Sequence, residues 1–260
     1  MSESRSWPRL LIAVLLMCVL AAGCASTPGQ ADPDRDPDPL ERINRPIHDF
    51  NMTADRWVLR PVAKGYDTIT PDPMQRGIRN FFRNLGEPVT VVHGLLQGRP
   101  VDSGRSTVRF VLNSTVGILG FFDVASQVGL PRERRDLGQT LGKWGFASGP
   151  YIVVPFLGPS TIRDGTGRIG DWFIDPYSHQ FEGRQGLRNQ LLVLNILDTR
   201  ANLLPLDDVL EQAFDPYTFM RDSYLQQRRA MVRNGDADSM DDFSRDDFDD
   251  LDDLDDYEDF

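Results

Sequence analysis

Cys24 is the residue whose neighbours most clearly predict a chemical modification. Two arginines and a short apolar run, Leu10 to Val19, precede the segment Leu20-Ala-Ala-Gly that leads into Cys24. The apolar run is too short to span a membrane, which takes about 20 residues, so residues 1–23 are predicted to be an export signal. Small residues before a cysteine are typical of a lipobox, in which the cysteine sulfur receives diacylglycerol and its freed amine a third acyl chain. The sequence therefore predicts lipidation of Cys24.

The residues around Cys24 also indicate where the protein goes. Ala25 is not an aspartate, which in enterobacterial-type sorting implies passage to the outer membrane. Cys18 lies inside the signal, so acylation of Cys24 leaves no thiol in the mature chain. Ala21 stands where a lipobox most often has leucine, and the alternative is an ordinary signal that is cleaved without lipid. Two or more acyl chains would hold the protein on its membrane essentially permanently.

Residue patterns that support catalysis are scarce. His48, His93 and His179 are widely spaced and form no His-Glu-x-x-His pair for zinc. Gly158-Pro-Ser-Thr lacks the second glycine of a Gly-x-Ser-x-Gly nucleophile elbow. Gly165-Thr-Gly-Arg-Ile-Gly formally matches a dinucleotide-binding motif, but it neither follows a strand directly nor lies in a βαβ unit. We therefore expect no enzyme, no cofactor and no metal site, and we expect His93 to be a packing residue.

The net charge of −11 resides in the C-terminal tail. Residues 236–260 contain thirteen aspartates, one glutamate and one arginine and carry −13, whereas residues 24–235 carry +1. This distribution argues against nucleic acid as a partner. The acidic composition of the tail predicts that it stays solvated. The alternative is that it folds against a basic, grooved partner, because apolar residues recur in it three or five positions apart. These residues are Phe243, Phe248, Leu251, Leu254, Tyr257 and Phe260.

Composition divides the chain into four parts. After the export signal at 1–23, residues 24–37 form a polar, proline-rich tether that cannot pack a core. Residues 38–234 hold the apolar periodicity and are predicted to be one domain. Residues 235–260 are the acidic tail, which we predict to be disordered.

The body of the chain is predicted to be mainly α, because apolar residues recur every three or four positions along most of it. The first helix should start with Asp38 as N-cap and Pro39 at its first position, and it should break or kink near Pro46. Only Tyr151–Val154 suits a strand. Further helices are predicted at 74–85, 88–98, 105–124, 187–204 and 217–233.

The segment from Gly138 to Asp164 combines helix breakers with apolar side chains. It holds five glycines and three prolines, and in a helix interior glycine costs about 1 kcal/mol and proline about 3. A disordered linker would not be as apolar and aromatic as this segment is. We therefore predict an ordered irregular loop, buried or membrane-facing, with helices on either side.

This segment and three others resemble the outer-membrane lipoproteins of the MlaA (VacJ) family. The matching loop residues are Gly138, Thr140, Leu141, Gly142, Gly145, Gly149, Pro150, Tyr151, Pro155, Phe156, Gly158, Arg163 and Asp164. The other matches are Asp38-Pro-Leu-Glu-Arg-Ile-Asn-Arg45 with Phe50-Asn51, Arg79–Pro88 with Leu96-Gln-Gly98, and Phe110–Ala125 followed by Asp215-Pro-Tyr217 and Arg221. The resemblance covers roughly residues 38–234 in order, which makes it more specific than any single motif.

The resemblance implies a fold and a function. MlaA-like proteins form a ring of amphipathic helices that lie in the membrane plane, in the inner leaflet of the outer membrane, around an amphipathic channel. They remove mislocalised phospholipids from the outer leaflet and pass them to a soluble periplasmic carrier, which feeds an inner-membrane ABC transporter. They also sit against trimeric porins, and the ring itself hydrolyses nothing. By resemblance, these would be the partners of this chain.

The resemblance also assigns residues to the channel. Asn44, Arg45, Phe50 and Asn51 match the N-terminal helix, where the behaviour of the family's channel is sensitive to change. Loop residues are expected to shape or gate the path: Gly145, Gly149, Pro150, Tyr151 and Pro155. Arg163 and Asp164 would form either a surface or ion-pair turn or part of a polar wall of the channel.

Three alternatives remain at this point. Periodicity alone favours a soluble helical bundle tethered by Cys24, and it is the resemblance that favours helices with their apolar sides towards lipid. A structural lipoprotein that scaffolds porins or an envelope complex would need no channel. An esterase or lipase is disfavoured, because the nucleophile elbow is missing.

Overall fold

The computed structural model describes residues 38–175 and 185–234. The predictions for the export signal, Cys24, the tether and the acidic tail lie outside these residues. Within them the fold is mainly helical, as predicted, with one small β-hairpin. Its helices are α1 (Glu41–Ala54), α2 (Arg60–Ile69), α3 (Asp72–Leu96), α4 (Pro100–Thr115), α5 (Val124–Gln127), α6 (Leu137–Lys143), α7 (Ile162–Trp172), α8 (Gln185–Asn202), α9 (Asp207–Gln212) and α10 (Pro216–Asn234). The strands are β1 (Tyr151–Val154) and β2 (Gly158–Thr161).

The N-terminal helix differs from its prediction at its start and in its interior. α1 begins at Glu41, and Asp38 lies before it with a buried carboxylate that accepts a hydrogen bond from the Leu40 N–H. Asp38 therefore caps the preceding turn and not the helix itself. Pro46 lies inside α1 without ending it, and the irregular turn is instead a π-helix at Asp55–Leu59, which leads directly into α2.

The two helices predicted at 74–85 and 88–98 are a single helix, α3, with Pro88 inside it. Pro88 removes one backbone hydrogen bond, but α3 packs along α4 on both sides of this position and continues through it. A tight turn at Gly98, with φ of 72°, joins the two helices. Tertiary packing has overridden a local helix-breaking signal.

α3 and α4 bury polar side chains and expose apolar ones. The buried residues of α4 are Ser103, Ser106, Arg109 and Asn113, and those of α3 include Gln75, Asn84, Glu87, Thr90 and His93. On the opposite sides, exposed apolar residues include Val92, Leu95, Val101, Val108 and Val111. A helix in a water-soluble protein has the reverse arrangement, with its apolar stripe facing the core.

The same inversion extends along the chain. The turn after α4 exposes Ile118 and Leu119, both with left-handed backbone angles, so the helix predicted to reach 124 ends at Thr115. Exposed aromatic residues elsewhere include Trp57, Phe122, Trp144, Phe156, Trp172, Phe173 and Phe214. Buried apolar clusters are small and centre on Ala63, Tyr66 and Ala201 and on Tyr151, Val153 and Tyr217. The described residues include no helix that is both long and apolar enough to cross a membrane.

The segment Gly138–Asp164 is more regular than predicted. It contains most of α6 and an antiparallel hairpin in which Tyr151 pairs with Thr161 and Val154 with Gly158. The strand predicted at Tyr151–Val154 is confirmed, whereas β2 was not expected from its sequence, Gly-Pro-Ser-Thr. Residues 144–150 form the ordered irregular stretch that was predicted, whereas residues 151–161 form a regular hairpin: breakers at the ends of short elements are compatible with regular structure between them.

The C-terminal helices agree closely with their predictions. α8 spans Gln185–Asn202 against the predicted 187–204, and α10 spans Pro216–Asn234 against 217–233. α8 packs on α2 and α3, while α10 packs on α6, α9 and the hairpin strand β2. α10 thus lies beside the hairpin and contacts the helix that precedes it.

Candidate functional site

Two asparagine side chains of α1 hold the hairpin along β1. The Asn44 amide donates to the Tyr151 carbonyl oxygen at 3.0 Å and accepts from the Val153 N–H at 2.9 Å. Two helical turns later, Asn51 repeats this pattern, donating to Val154 O at 3.0 Å and accepting from the Phe156 N–H at 2.8 Å. Each amide thus binds the carbonyl of one residue and the N–H two positions on, as a neighbouring strand would. Together they supply hydrogen-bond partners along the edge of β1 that faces α1.

The tip of the hairpin is strained, and Phe50 and Asn51 both act on it. Phe156 has φ of 63°, a left-handed conformation that is uncommon for a non-glycine residue. The Asn51 side chain accepts a hydrogen bond from the Phe156 N–H, and the Phe50 ring lies edge-on against the Phe156 ring, with centroids 5.2 Å apart. Phe156 is nevertheless 74% exposed. The hairpin tip therefore exposes an apolar side chain, that of Phe156, and two adjacent residues of α1 hold it in place.

The base of the hairpin rests on a buried polar cluster. Tyr151 is 1% exposed and packs against the Tyr217 ring, whose hydroxyl donates to the buried Asp38 carboxylate. Asn44 also donates to Asp38, at 2.9 Å. Burial, together with the hydrogen bond to Asp38, raises the pKa of Tyr217, which therefore remains a neutral donor. Asp38, the first residue that the structure describes, is thus connected to the hairpin through α1 and α10.

Arg45 links α1 to the start of α10. Its guanidinium donates to both oxygens of Asp215, at 3.2 and 2.7 Å, and lies 4.5 Å from the centroid of the Tyr217 ring. The hydrogen bonds from Arg45, and next those from Thr218, lower the pKa of Asp215. Asp215 also accepts from the Tyr217 N–H, so it stabilises the first turn of α10.

Asp164 lies in a largely buried charge cluster and not on a surface turn. Thr161 caps α7 by accepting from the Asp164 N–H, which places the carboxylate at the start of the helix. Arg163 pairs with Asp164 at 3.2 Å, so the predicted ion pair forms, but both side chains are largely buried. Arg228 of α10 donates to Asp164 at 2.9 and 3.0 Å, and Tyr224 donates at 3.0 Å.

Arg228 also reaches Asp136, the N-cap residue of α6. Its two terminal nitrogens donate to the two Asp136 oxygens at 2.7 and 2.9 Å. Burial by itself would raise the pKa of Asp136, but the hydrogen bonds and charge of Arg228 outweigh it and hold this pKa well below its usual range. One arginine therefore joins the first turns of α6 and α7, the helices on either side of the hairpin.

The predicted loop residues occupy the connections on either side of β1. Gly145 and Gly149 have φ of 92° and 68°, and a Cβ on Gly149 would lie 3.1 Å from the Ile162 Cβ. Pro150 directly precedes β1, and Pro155 directly follows it in the turn. The structure thus brings Asn44 into contact with Tyr151 and Asn51 into contact with the hairpin turn, whereas Gly145 lies outside the hairpin.

The Gly-x-Gly-x-x-Gly match is explained by helix packing. A Cβ on Gly167 would lie 2.5 Å from the backbone nitrogen of Gly138, so α6 and α7 approach backbone to backbone at this point. A Cβ on Gly170 would lie 2.3 Å from a methyl carbon of Leu137. Small residues at such spacing let two helices approach closely, as is common in proteins surrounded by lipid.

Two buried polar clusters carry no motif that the sequence could have revealed. His93 contacts Thr140 Oγ1 at 3.0 Å through Nδ1 and Asp171 Oδ1 at 2.7 Å through Nε2, which makes it the packing residue expected. The Thr140 hydroxyl is fully buried, so this triad-like row cannot reach a substrate.

The second cluster centres on Arg109. This arginine donates to Glu87, Asp123, Ser126 and the Leu130 carbonyl oxygen. Burial raises the pKa of Glu87 despite the nearby arginines. In the part of the chain that the structure describes, no group of three or more His, Cys, Asp and Glu side chains is arranged to hold a metal ion.

Comparison with known proteins gives a consistent result. A family model described as "MlaA lipoprotein" matches residues 36–231. The chain is 36% identical over 236 residues to the intermembrane phospholipid transport system lipoprotein MlaA of Escherichia coli K12, covering 86% of this chain and 89% of that protein. It is 32% identical over 231 residues to the protein of the same name from Haemophilus influenzae, covering 87% of this chain and 92% of that one.

A solved structure is similar in the same way. It was described under the heading "Structural basis for maintenance of bacterial outer membrane lipid asymmetry". The similarity has a TM-score of 0.67 with 34% sequence identity, and it covers 76% of this chain and all of that one. The residues matched by the family model include the hairpin and the helices that hold it.

Proposed function

Because the chain belongs to the MlaA lipoprotein family, we propose that it takes part in intermembrane phospholipid transport and so maintains the lipid asymmetry of the outer membrane. In this proposal it removes mislocalised phospholipids from the outer leaflet and passes them to a soluble periplasmic carrier for return to the inner membrane by an ABC transporter. It does so without hydrolysing them, anchored through Cys24 at the periplasmic face and seated against a trimeric porin.

The task has two opposed physical difficulties. Each methylene of an acyl chain contributes about 0.8 kcal/mol when it leaves water, so a phospholipid does not leave a bilayer unaided. Its charged head group resists the hydrocarbon for the opposite reason. A protein that solves both must face acyl chains with apolar residues while it offers head groups a polar path.

The inverted burial of α3 and α4 is the observation that carries this proposal. Arg109, Glu87 and Asn113 are each no more than 3% exposed, while Val101 and Val108 are 67% and 48% exposed. Such helices would be unstable as a water-soluble bundle, since large exposed apolar surfaces mark a membrane or protein contact. With their apolar sides towards the acyl chains of the inner leaflet, the same helices are stable, because their polar side chains remain buried against one another and their apolar side chains contact lipid.

We propose that the hairpin shapes or gates the lipid path. Its exposed tip is apolar, its base is buried and polar, and its position is fixed by Asn44, Asn51 and Phe50 of α1. Gly149, Pro150 and Pro155 set the chain direction at the two ends of β1, and Arg163 and Asp164 join the hairpin to α7 and α10. Gly145 would act only through the connection between α6 and β1.

Deletion of the gene tests the proposal against the scaffold alternative. We expect phospholipid to accumulate in the outer leaflet of the deletion strain, measured by phospholipase accessibility or by palmitoylation of lipid A. A structural lipoprotein that holds porins need not cause such accumulation. Complementation with the unmodified chain should restore the asymmetry, and its failure to do so would remove the case for transport.

Substitution of Asn51 by alanine should change lipid flux without releasing the protein from the membrane. It removes two hydrogen bonds to the hairpin, each contributing about 1 kcal/mol. The equilibrium between the held and the released hairpin should therefore shift about 30-fold towards release. Outer-leaflet phospholipid in complemented deletion cells measures the result. Thr53→Ala is the control, because Thr53 is exposed and its hydroxyl donates to Asp49 O of its own helix. Equal lipid asymmetry in both strains would show that the hydrogen bonds from Asn51 to the hairpin have no role in transport.

Removal of residues 236–260 should slow association with the carrier at low salt. The deletion removes a charge of −13, and charge complementarity acts on association rates more than on lifetimes. We expect at least about a tenfold loss in the association rate at low ionic strength that disappears at high salt. Stopped-flow measurement with the detergent-solubilised lipoprotein checks this, and an unchanged rate would remove this role for the tail.

A further inference from the structure

Exposed cations are concentrated at the C-terminal end of α6 and in the second half of α10. Residues 137–163 and 223–235 contain five basic residues and no acidic one. Two of the five, Arg163 and Arg228, are paired with Asp164 and Asp136. The other three, Lys143, Arg229 and Arg233, are exposed. In a body whose overall charge is +1, this is a local excess of positive charge.

The three exposed cations lie at the ends of two helices in contact. Lys143 Nζ donates to the Arg233 carbonyl oxygen at 2.9 Å, so the end of α6 meets the end of α10. Arg229 and Arg233 are four positions apart and so share one face of α10. Two exposed aromatic residues, Trp144 and Phe146, follow Lys143 directly. We call Lys143, Arg229, Arg233, Trp144 and Phe146 the basic patch.

The acidic tail begins three residues after Arg233, at Asp236. It has a charge of −13 and carries aromatic residues among its aspartates. Its negative charge is complementary to the cations of the basic patch, and its aromatic residues can pack against those of the patch. Ten flexible residues have a root-mean-square span of about 17 Å, so aspartates throughout the first half of the tail can reach the patch. Attachment this close corresponds to an effective concentration in the millimolar range.

From this complementarity we infer that residues 236–260 fold back on the basic patch of the same chain. Aspartates pair with Lys143, Arg229 and Arg233, and the Phe and Tyr side chains of the tail pack against Trp144 and Phe146. Each exposed ion pair contributes little, about 0–1 kcal/mol, so the association depends on several pairs at once and weakens with salt. A partner that binds the tail must then compete with this patch. The inference does not depend on lipid transport.

Cysteine cross-linking in the full acylated chain tests the inference directly. Acylation blocks Cys24, so introduced cysteines are the only thiols of the mature protein. One cysteine replaces Ser244 in the tail, and the second replaces either Ala147, beside the patch, or Val62 on α2, which packs against α8 instead. In detergent at about 50 mM salt, we expect the disulfide of the Ala147→Cys pair to form about tenfold faster than that of the Val62→Cys pair.

Charge variants separate the patch from a general electrostatic effect. K143Q/R229Q/R233Q should reduce the faster rate severalfold, as should salt at about 0.5 M. The matched control R42Q/R56Q/K64Q removes three exposed cations elsewhere and should leave that rate unchanged. Equal rates for the two cysteine pairs, or no response to the patch variant, would overturn the inference.

A lipid surface is the competing occupant. Because acyl chains on Cys24 would hold every variant on the vesicles, flotation with vesicles of phosphatidylglycerol and phosphatidylcholine measures it on the same variants with Cys24→Ser added. If K143Q/R229Q/R233Q lowers vesicle binding while the cross-linking rate stays the same, the patch faces anionic head groups and the inference is wrong. If the variant lowers the cross-linking rate, the tail is its occupant.

Discussion

Substitution of Arg228 by glutamine is expected to destabilise the protein by about 3–5 kcal/mol at neutral pH, since it removes the main charge partner of two largely buried carboxylates. Asp164 is 3% exposed and Asp136 21% exposed, and Arg228 supplies two hydrogen bonds to each. Glutamine keeps most of the volume but not the charge, so the loss is electrostatic. Urea unfolding of the detergent-solubilised protein, followed by tryptophan fluorescence, measures the change.

The pH dependence of stability should reverse in this variant. For Asp136 and Asp164, burial opposes ionisation, but in the native protein Arg228 outweighs it and lowers both pKa values. These groups therefore stabilise the native protein above their unfolded pKa of about 3.9, and this contribution is lost as the pH falls through the folded values. Without Arg228 the remaining partners are weaker, Arg163 for Asp164 and the Gln139 N–H for Asp136, so we expect burial to raise both pKa values above their unfolded values. The variant should then gain stability relative to the native protein as the pH falls from 7 towards about 5.

Arg229→Gln provides the matched control. Arg229 is adjacent in sequence and exposed, and it donates to Leu225 O of its own helix. It should change the free energy of unfolding by no more than about 1 kcal/mol at any of these pH values, the upper value for one exposed ion pair. If both variants behave alike, Arg228 is not the residue that joins α6, α7 and α10.

Local sequence signals predicted the elements whose ends and periodicity agree. α8 and α10 were placed within two residues of their observed ends. The helix boundary predicted at Pro88 was wrong. A proline breaks a helix only when no packing compensates for its missing hydrogen bond, and α4 supplies that packing. The strand β2 was missed because its residues, Gly158–Thr161, have little strand propensity and pair only through the register that β1 imposes.

Periodicity identified two faces on each helix but could not say which face is buried. Val108 and Val111 form an apolar stripe that is equally compatible with a core or with lipid, and the structure exposes both. The same limit applies to the candidate site. Asn44 and Asn51 were singled out by resemblance, and the reason for their spacing appears only when each amide meets the backbone of β1, about a hundred residues away. Arg228 carried no signal at all, since its partners Asp136 and Asp164 are 92 and 64 residues distant.

Substitution of Gly167 by alanine is the second large effect we expect. The new Cβ would lie 2.5 Å from the Gly138 nitrogen and 2.9 Å from its Cα, and backbone atoms cannot move aside as a side chain can. α6 and α7 would have to separate, which stretches the Arg228 contacts on both helices. We expect a loss of about 3 kcal/mol, at the upper end of the usual range for overpacking, and a fall in lipid flux with it.

Gly165→Ala, two residues earlier in the same helix, should have the opposite sign. A Cβ there meets Ser160 Oγ at 3.5 Å and the Ile152 Cδ1 at 3.8 Å, which are ordinary contacts. Helix propensity then favours alanine by about 1 kcal/mol. Urea unfolding of both variants in one detergent separates steric contact from propensity, because propensity alone predicts that both substitutions stabilise α7. A stabilised Gly167→Ala protein would mean that α6 and α7 do not cross backbone to backbone, and the hairpin between them would lose the rigid support on which its proposed role in lipid passage rests.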